Sequence, residues 1–309
     1  MKRSIVLLGV GVSLAITALA AFNPFADGAM ADVRVCVVDD EGAPVSEAAV
    51  SLVCYTAPQK ADVIRGMTDK NGVFCLRHRC TEELRVVVRK VEHYETVRYA
   101  PEYRQNTVEE ATRTKRWSKG TVDIPIVLKR HLQPLEMTVH EVDFKPFPNT
   151  NEVVKLDLEL LEWCPPYGNG KRDDLHLVFD GWRNPQDWDD YHEHLKVVFP
   201  NCEDGFYPLS VEPTSAFRYA YRAQTNAVYQ KSFEFRHVHT ADGIKDSTRL
   251  PPDTYLIYRI RTQTNELGQV THAHYGRIGE KLTQYFGLTM KSWFNPSDND
   301  TNLEDARRR

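Results

Sequence analysis

The stretch Val33-Arg-Val-Cys-Val-Val-Asp-Asp-Glu-Gly-Ala-Pro-Val45, answered by Met67-Thr-Asp-Lys-Asn-Gly-Val-Phe-Cys-Leu76, decides how this chain folds. Val33, Val35 and Val37 recur at every second residue, and Val50, Leu52 and Cys54 repeat the pattern. That period belongs to strands that bury one face. Asp40-Glu41-Gly42 and Lys70-Asn71-Gly72 supply turns, because Gly and Asn reach positive φ at little steric cost. Two hairpins at the head of a small sandwich are therefore predicted. Residues 83–89 and 121–128 read as further strands, the second closing the sandwich. The polar span 92–120 is too long for a sandwich loop. A short helix is predicted within it over residues 108–117, with Glu109 and Glu110 in its first turn and Arg113, Lys115 and Arg116 in its last. Long loops tend to carry binding, which makes this span a candidate surface.

The run Asp39-x-x-Gly-x-Pro-Val-x-x-Ala-x-Val50, followed by Thr68-Asp-x-Asn-Gly-x-Phe-x-Leu76, resembles the carboxypeptidase regulatory-like domain, a transthyretin-like β-sandwich. The resemblance covers residues 33–129 and implies a companion module without catalysis. The family's peptidase domain would bring a His-x-x-Glu zinc pair, and none of the eleven histidines is followed by Glu at the third position. The chain also has no Gly-x-Ser-x-Gly elbow, no His-Glu-x-x-His and no phosphate loop.

The 309 residues are enough for two domains with cores of their own. Lys2 and Arg3, the apolar run 5–21, and the small residues Ala18-Leu-Ala20 and Ala29-Met-Ala31 read as a secretory signal. Cleavage after Ala31 is expected, with an uncleaved membrane anchor as the alternative. The expected organisation is thus a signal peptide (1–31), the regulatory-like sandwich (32–130), a joint near 131–134, a second β-rich domain (135–303) and a polar tail (304–309). The fold class is all-β, with two sandwich-like domains. A formal net charge of −4 disfavours nucleic acid, which needs a basic face to neutralise phosphates. Six cysteines in an exported chain predict disulfides. Pairing within domains joins Cys164 to Cys202 and leaves three connectivities open among Cys36, Cys54, Cys75 and Cys80.

In the second region, residues 153–160, 175–179 and 255–260 alternate apolar and polar residues, and Asn265-Glu-Leu-Gly268 reads as a hairpin turn into residues 269–275. A short helix is predicted near 185–195. Three His-x-His pairs, His192/His194, His237/His239 and His272/His274, exceed what composition alone predicts. On a strand, residues i and i+2 share a face, so such a pair can present two imidazoles to a metal such as zinc. His237, His239, His272 and His274 are the metal candidates, with Glu234 or Asp242 as a neighbouring carboxylate. Solvated histidines on a strand face are the plainer expectation, and so is an absence of any cofactor. The segment Asp180-Gly-Trp-Arg-Asn-Pro-Gln-Asp-Trp-Asp-Asp-Tyr191 offers rings for stacking and carboxylates for hydroxyls. It nominates Trp182, Trp188, Asp189 and Tyr191 as a glycan-binding edge, although a Trp that lids the core is the plainer expectation. Asp298-Asn-Asp300-Thr-Asn302 begins like a calcium loop but lacks its later ligands, so it reads as a polar turn.

These features predict a secreted or periplasmic, non-catalytic binding protein of the cell envelope, with a glycan or a surface protein as partner. Contact with the membrane is expected only through an uncleaved signal segment. A metal-dependent hydrolase using the histidine pairs and an envelope assembly or adhesion component are the alternatives.

Overall fold

A computed structural model describes residues 22–306 apart from residues 58, 59, 82, 241, 249, 252, 280–282, 285 and 286. The apolar run 5–21 lies outside the described residues. The protein is all-β, with nineteen strands among the described residues.

The N-terminal half holds β1 (Ala29–Val38), β2 (Ala49–Ala57), β3 (Lys60–Met67), β4 (Val73–Cys80), β5 (Leu84–Arg89), β6 (Thr96–Tyr99), helix α1 (Val108–Thr114) and β7 (Val122–Val127). One sheet has the order β4-β1-β7 and the other β3-β2-β5-β6. The alternating residues meet between them: Val33, Val35 and Val37 from β1 and Val50, Leu52 and Cys54 from β2 are all buried in one core. The two expected hairpins do not form. Strand β1 pairs antiparallel with β4 and parallel with β7, while β2 pairs with β3 and β5. Each Gly turn instead carries the chain across to the opposite sheet. Both crossings use the same device. Asp39 Oδ1 accepts from Glu41 N and Ala43 N at 3.0 and 2.8 Å, and Asp69 Oδ1 accepts from Asn71 N and Val73 N, both at 2.9 Å. Gly72 (φ 73°) belongs where it is, because a Cβ there would lie 2.3 Å from the Val37 carbonyl oxygen.

Strand β1 starts earlier than the expected cleavage point. Ala29 and Ala31 are buried and Met30 bonds through its backbone to Lys115 and Trp117. Cutting after Ala31 would remove a turn of helix at Pro24–Gly28, the start of β1, and the contact of Phe25 with Trp117. The span 92–120 is likewise more folded than a loop. It supplies β6 and α1, which Thr107 caps through Glu110 N. Tyr103 and Trp117 then close one end of the core by donating to the carbonyls of Thr81 and Cys80.

The C-terminal half adds β8 (Thr138–Pro146), β9 (Val153–Asp157), β10 (Glu162–Trp163), β11 (Leu175–Arg183), β12 (Tyr191–Val198), β13 (Gly205–Ser210), β14 (Ser232–Thr240), β15 (Gly243–Thr248), β16 (Thr254–Thr264), β17 (Val270–Ile278), β18 (Thr283–Gln284) and β19 (Gly287–Phe294). Its front sheet runs β10-β9-β11-β12-β14-β15 and its back sheet β13-β16-β17-β19-β18, with β8 also paired to β19. Leu177, Phe179, Leu195 and Val197 of the front sheet share a core with Leu256, Tyr258, Ile278 and Met290 of the back sheet. The back sheet is covered on its other side too. Tyr207, Phe217, Tyr219, Tyr255, Tyr275, Trp293 and Leu303 form a second aromatic layer there, together with Tyr94 of the N-terminal half.

Two expectations are corrected here. The expected bridge between Cys164 and Cys202 is not formed, and all six cysteines are free thiols. Cys164 Sγ points to the Arg172 carbonyl at 3.1 Å, and Cys202 is exposed beside the Glu203 carboxylate. Of the other four, Cys54 and Cys80 are both buried in the first core, and the hydrogen bond with Cys54, reinforced by burial, raises the Cys80 thiol pKa. The polar tail is also not a tail at its start, since Glu304 and Asp305 are buried. Glu304 accepts from Tyr94 Oη at 2.8 Å, Leu132 N at 3.0 Å and Gln133 N at 2.7 Å, which locks the joint between the halves. Glu304→Ala leaves three donors unpaired, and chemical denaturation should show a loss of about 2–4 kcal/mol. A change under about 0.5 kcal/mol, the range of ordinary surface substitutions, would contradict this account of the joint.

Candidate functional site

Antiparallel pairing of β11 with β12 places Arg183 opposite Tyr191 and Trp182 opposite His192. Pairing of β12 with β14 then sets Tyr191 opposite His239 and Glu193 opposite His237. By strand alternation Arg183, Tyr191, Glu193 and His237 continue the core-facing side of the front sheet past its apolar part. Glu193 and His237 are buried.

The loop between β11 and β12 is a compact turn, and the short helix predicted near 185–195 does not form. Asn184 Oδ1 accepts from Gln186 N at 3.0 Å, Asp187 Oδ1 accepts from Asp189 N at 3.0 Å, and Asn184 N donates to the Asp190 carbonyl at 2.9 Å. Such side-chain bonds give the backbone an alternative to helical ones, and Pro185 has no N–H to contribute. His192 and His194 accordingly lie on strand β12, facing Asp180 at 3.5 Å and Glu234 at 3.2 Å.

The turn brings Trp188 back over the hairpin. The Arg183 guanidinium lies 5.1 Å from the Trp188 ring centre and 5.4 Å from that of Tyr191. Tyr191 stacks on His239 at 5.7 Å and tilts against His237 at 5.5 Å, and His239 Nδ1 donates to the Asp189 carbonyl. Arg183, Trp188, Asp189, Tyr191, His237 and His239 are thereby one cluster, which joins two features that the sequence presents separately. Neither Trp lids the core, since Trp182 is 53% and Trp188 71% exposed. Trp182 belongs to the other face of the sheet, with His192 as its cross-strand neighbour. Arg183 is the member of the cluster that sequence patterns did not single out; its position opposite Tyr191 depends on the hairpin register.

The four metal candidates do not converge. His237 and His239 lie on β14 of the front sheet, whereas His272 and His274 lie on β17 of the back sheet. The carboxylate that joins the second pair is Asp298. Its Oδ1 lies 2.7 Å from His272 Nδ1 and also accepts from Ala273 N at 3.3 Å. Glu234 and Asp242 are engaged elsewhere, by His194 and Lys196 and by Lys245. The rings of His272 and His274 meet edge-on at 5.2 Å, and His274 Nδ1 donates to the Asn295 carbonyl at 3.3 Å. Burial holds the His274 pKa below its ordinary 6.5, with Arg261 adding to the effect. Burial pushes the Asp298 carboxyl upward, but the hydrogen bond from His272 and that from Ala273 N outweigh it and leave the pKa lowered.

A lowered His274 pKa means that the unfolded chain takes up this proton more readily than the folded one. The group's contribution is therefore present above pH 6.5 and is lost as pH falls below it. An NMR titration of the imidazole resonances should place the His274 midpoint below 6.5; a midpoint at or above that value would refute the partly buried, neutral ring.

No family model matches the chain, and no curated protein matches it. Among solved structures it is similar to a 3-chlorocatechol 1,2-dioxygenase from Rhodococcus opacus 1CP, at 14% identity and a TM-score of 0.27. That match covers 34% of this chain and 62% of the dioxygenase, so the chain spans less than two thirds of that protein. It is also similar to a Bacteroides uniformis protein described as carbohydrate-binding, at 7% identity and a TM-score of 0.20, over 87% of this chain and 98% of the other. Likenesses at these scores carry no argument about what this chain binds.

Proposed function

We propose that this chain is an exported, non-catalytic binding protein of the cell envelope that takes a glycan on the Trp188–Tyr191 platform. The observation that carries the reading is an indole 71% exposed to solvent with a guanidinium against it. Burying Trp188 against a core would remove its large apolar surface from water, so an exposed ring held by a structured turn suits a ligand that covers it. Sugars present apolar C–H faces for stacking and hydroxyls for polar partners. Arg183 contributes fixed planar donors, and the Asp189 and His239 side chains lie at the rim. Residues 33–129 fit the companion role of a regulatory-like module, with strands in two sheets and matched Asp-capped crossings. Export rests on Lys2, Arg3 and the apolar run that follows. Because β1 begins at Ala29, processing after Ala18-Leu-Ala20 would leave the strand intact.

Affinity electrophoresis through gels containing envelope polysaccharides tests this directly. Wild type should be retarded by at least one polysaccharide. Trp188→Ala and Tyr191→Ala should weaken retention about tenfold or more, roughly 1.4 kcal/mol. Trp182→Ala, on the opposite face, should retain binding, and circular dichroism should show all three variants folded. Unchanged retention in Trp188→Ala, or no retardation of wild type by any polysaccharide, would overturn the assignment.

A further inference from the structure

We propose that His272, His274 and Asp298 form a binding site for a first-row divalent transition metal, zinc in particular, separate from the glycan platform. Their ligand atoms all lie within 4.8 Å of one another, closer than any other group of three such side chains among the described residues. Tetrahedral zinc with bonds of about 2.0–2.2 Å sets its donors roughly 3.3 Å apart. The 2.7 Å from His272 to Asp298 and the 4.8 Å limit bracket that value, so turns of half-exposed side chains close the set.

The surroundings of His274 supply the second observation. A backbone carbonyl only accepts, so His274 Nδ1 carries its hydrogen toward Asn295, and Nε2 keeps its lone pair for a ligand. Metal-binding histidines are oriented in this way, with the far nitrogen donating to a carbonyl or carboxylate. That carbonyl is itself fixed. Asn295 is buried, and its Nδ2 donates to the Asp300 and Asn302 carbonyls at 3.0 and 2.9 Å. Asn299 N donates to the Ala273 carbonyl at 2.9 Å, and Asn299 Nδ2 to that of Thr271, also at 2.9 Å. The turn that bears Asp298 is thus tied to β17 on both sides of His272.

Two imidazoles and one carboxylate suit zinc or its neighbours rather than calcium or magnesium, which require shells of oxygen. Three protein ligands leave a tetrahedral position to water. Only neutral imidazole nitrogens and an ionised carboxylate can hold the ion, so protons compete with it and binding weakens in acid. Its structural effect would be to staple the segment after β19 to β17.

The test is equilibrium dialysis of untagged full chain, stripped with a chelator and then exchanged into zinc chloride, with metal counted by mass spectrometry. About one equivalent should bind at pH 7.5 and raise the thermal midpoint, and occupancy should fall by pH 5.5. His274→Ala and Asp298→Asn should each weaken binding at least about tenfold, while His239→Ala should leave it unchanged. Asp298 is exposed, so Asp298→Asn keeps the test valid if His274→Ala does not fold. Occupancy below about 0.2 equivalents, or equal loss of metal in His239→Ala, would overturn the site. Neither result bears on glycan retention by Trp188, because the two clusters lie on different sheets.

Discussion

The back sheet of the C-terminal half depends on a buried cation. Arg277, fully buried on β17, lies with its guanidinium 4.3 Å from the Tyr219 ring centre and 4.5 Å from that of Trp293, and it donates to the Leu303 carbonyl. A buried guanidinium needs aromatic faces and carbonyl acceptors around it to offset its lost hydration. Those requirements draw three separate stretches together: the irregular segment around Tyr219, strand β19 through Trp293, and the chain end at Leu303. The aromatic layer that results gives the back sheet a second covered face. Strands β16 and β17 are consequently buried on both sides over much of their length. The same chain end continues into Glu304, which ties Tyr94 and the joint at Leu132 and Gln133 into one assembly. The docking of the halves is thus an extension of the layer that Arg277 organises.

Strand periodicity was legible in the sequence wherever a strand has one wet face, as in β1 and β2. Partner choice was not, because a Gly turn with an Asp cap serves equally for a hairpin or for a crossing between sheets. Asp39 and Asp69 show the same local chemistry, and only the packing of both sheets on one core selects the crossing. The segment before Tyr191 misled for a related reason. A short helix is expected there, yet Asn184 and Asp187 commit their side chains to the local backbone. Ala29 and Ala31 suit a peptidase because they are small, and they are also buried in β1 where it pairs with β4.

Of the candidate sites, the members within a single strand pair or turn were readable, and the members brought by register were not. His272 and His274 follow from a two-residue period. Asp298 comes from a turn 24 or more residues later that sequence alone presents as a failed calcium loop, and Arg183 joins Tyr191 through the β11–β12 register. The Arg183 contact with Trp188 depends further on a turn that a helix would have abolished.

Both clusters also adjoin an interruption of regular pairing. The β14–β15 ladder shifts register between Val238 and His239, at the residue that stacks on Tyr191. The β16–β17 ladder shifts between Ile260 and Gln263, opposite His274 and His272. Arg261 sits in that second bulge at φ 57°, a conformation costly for a side chain of its size. It is held by fixed partners. Asp204 accepts from Arg261 N at 2.8 Å and Thr262 N at 2.9 Å, and the Arg261 guanidinium bonds Asp174 at 2.9 and 3.0 Å and Glu159 at 2.7 Å. Burial raises the Asp174 pKa even against the opposing pull of Arg261, so this network carries a desolvation cost. A regular ladder would need none of these groups. What the bulge supplies is an irregular stretch of β16 directly opposite two histidines, and bulges serve to re-aim side chains.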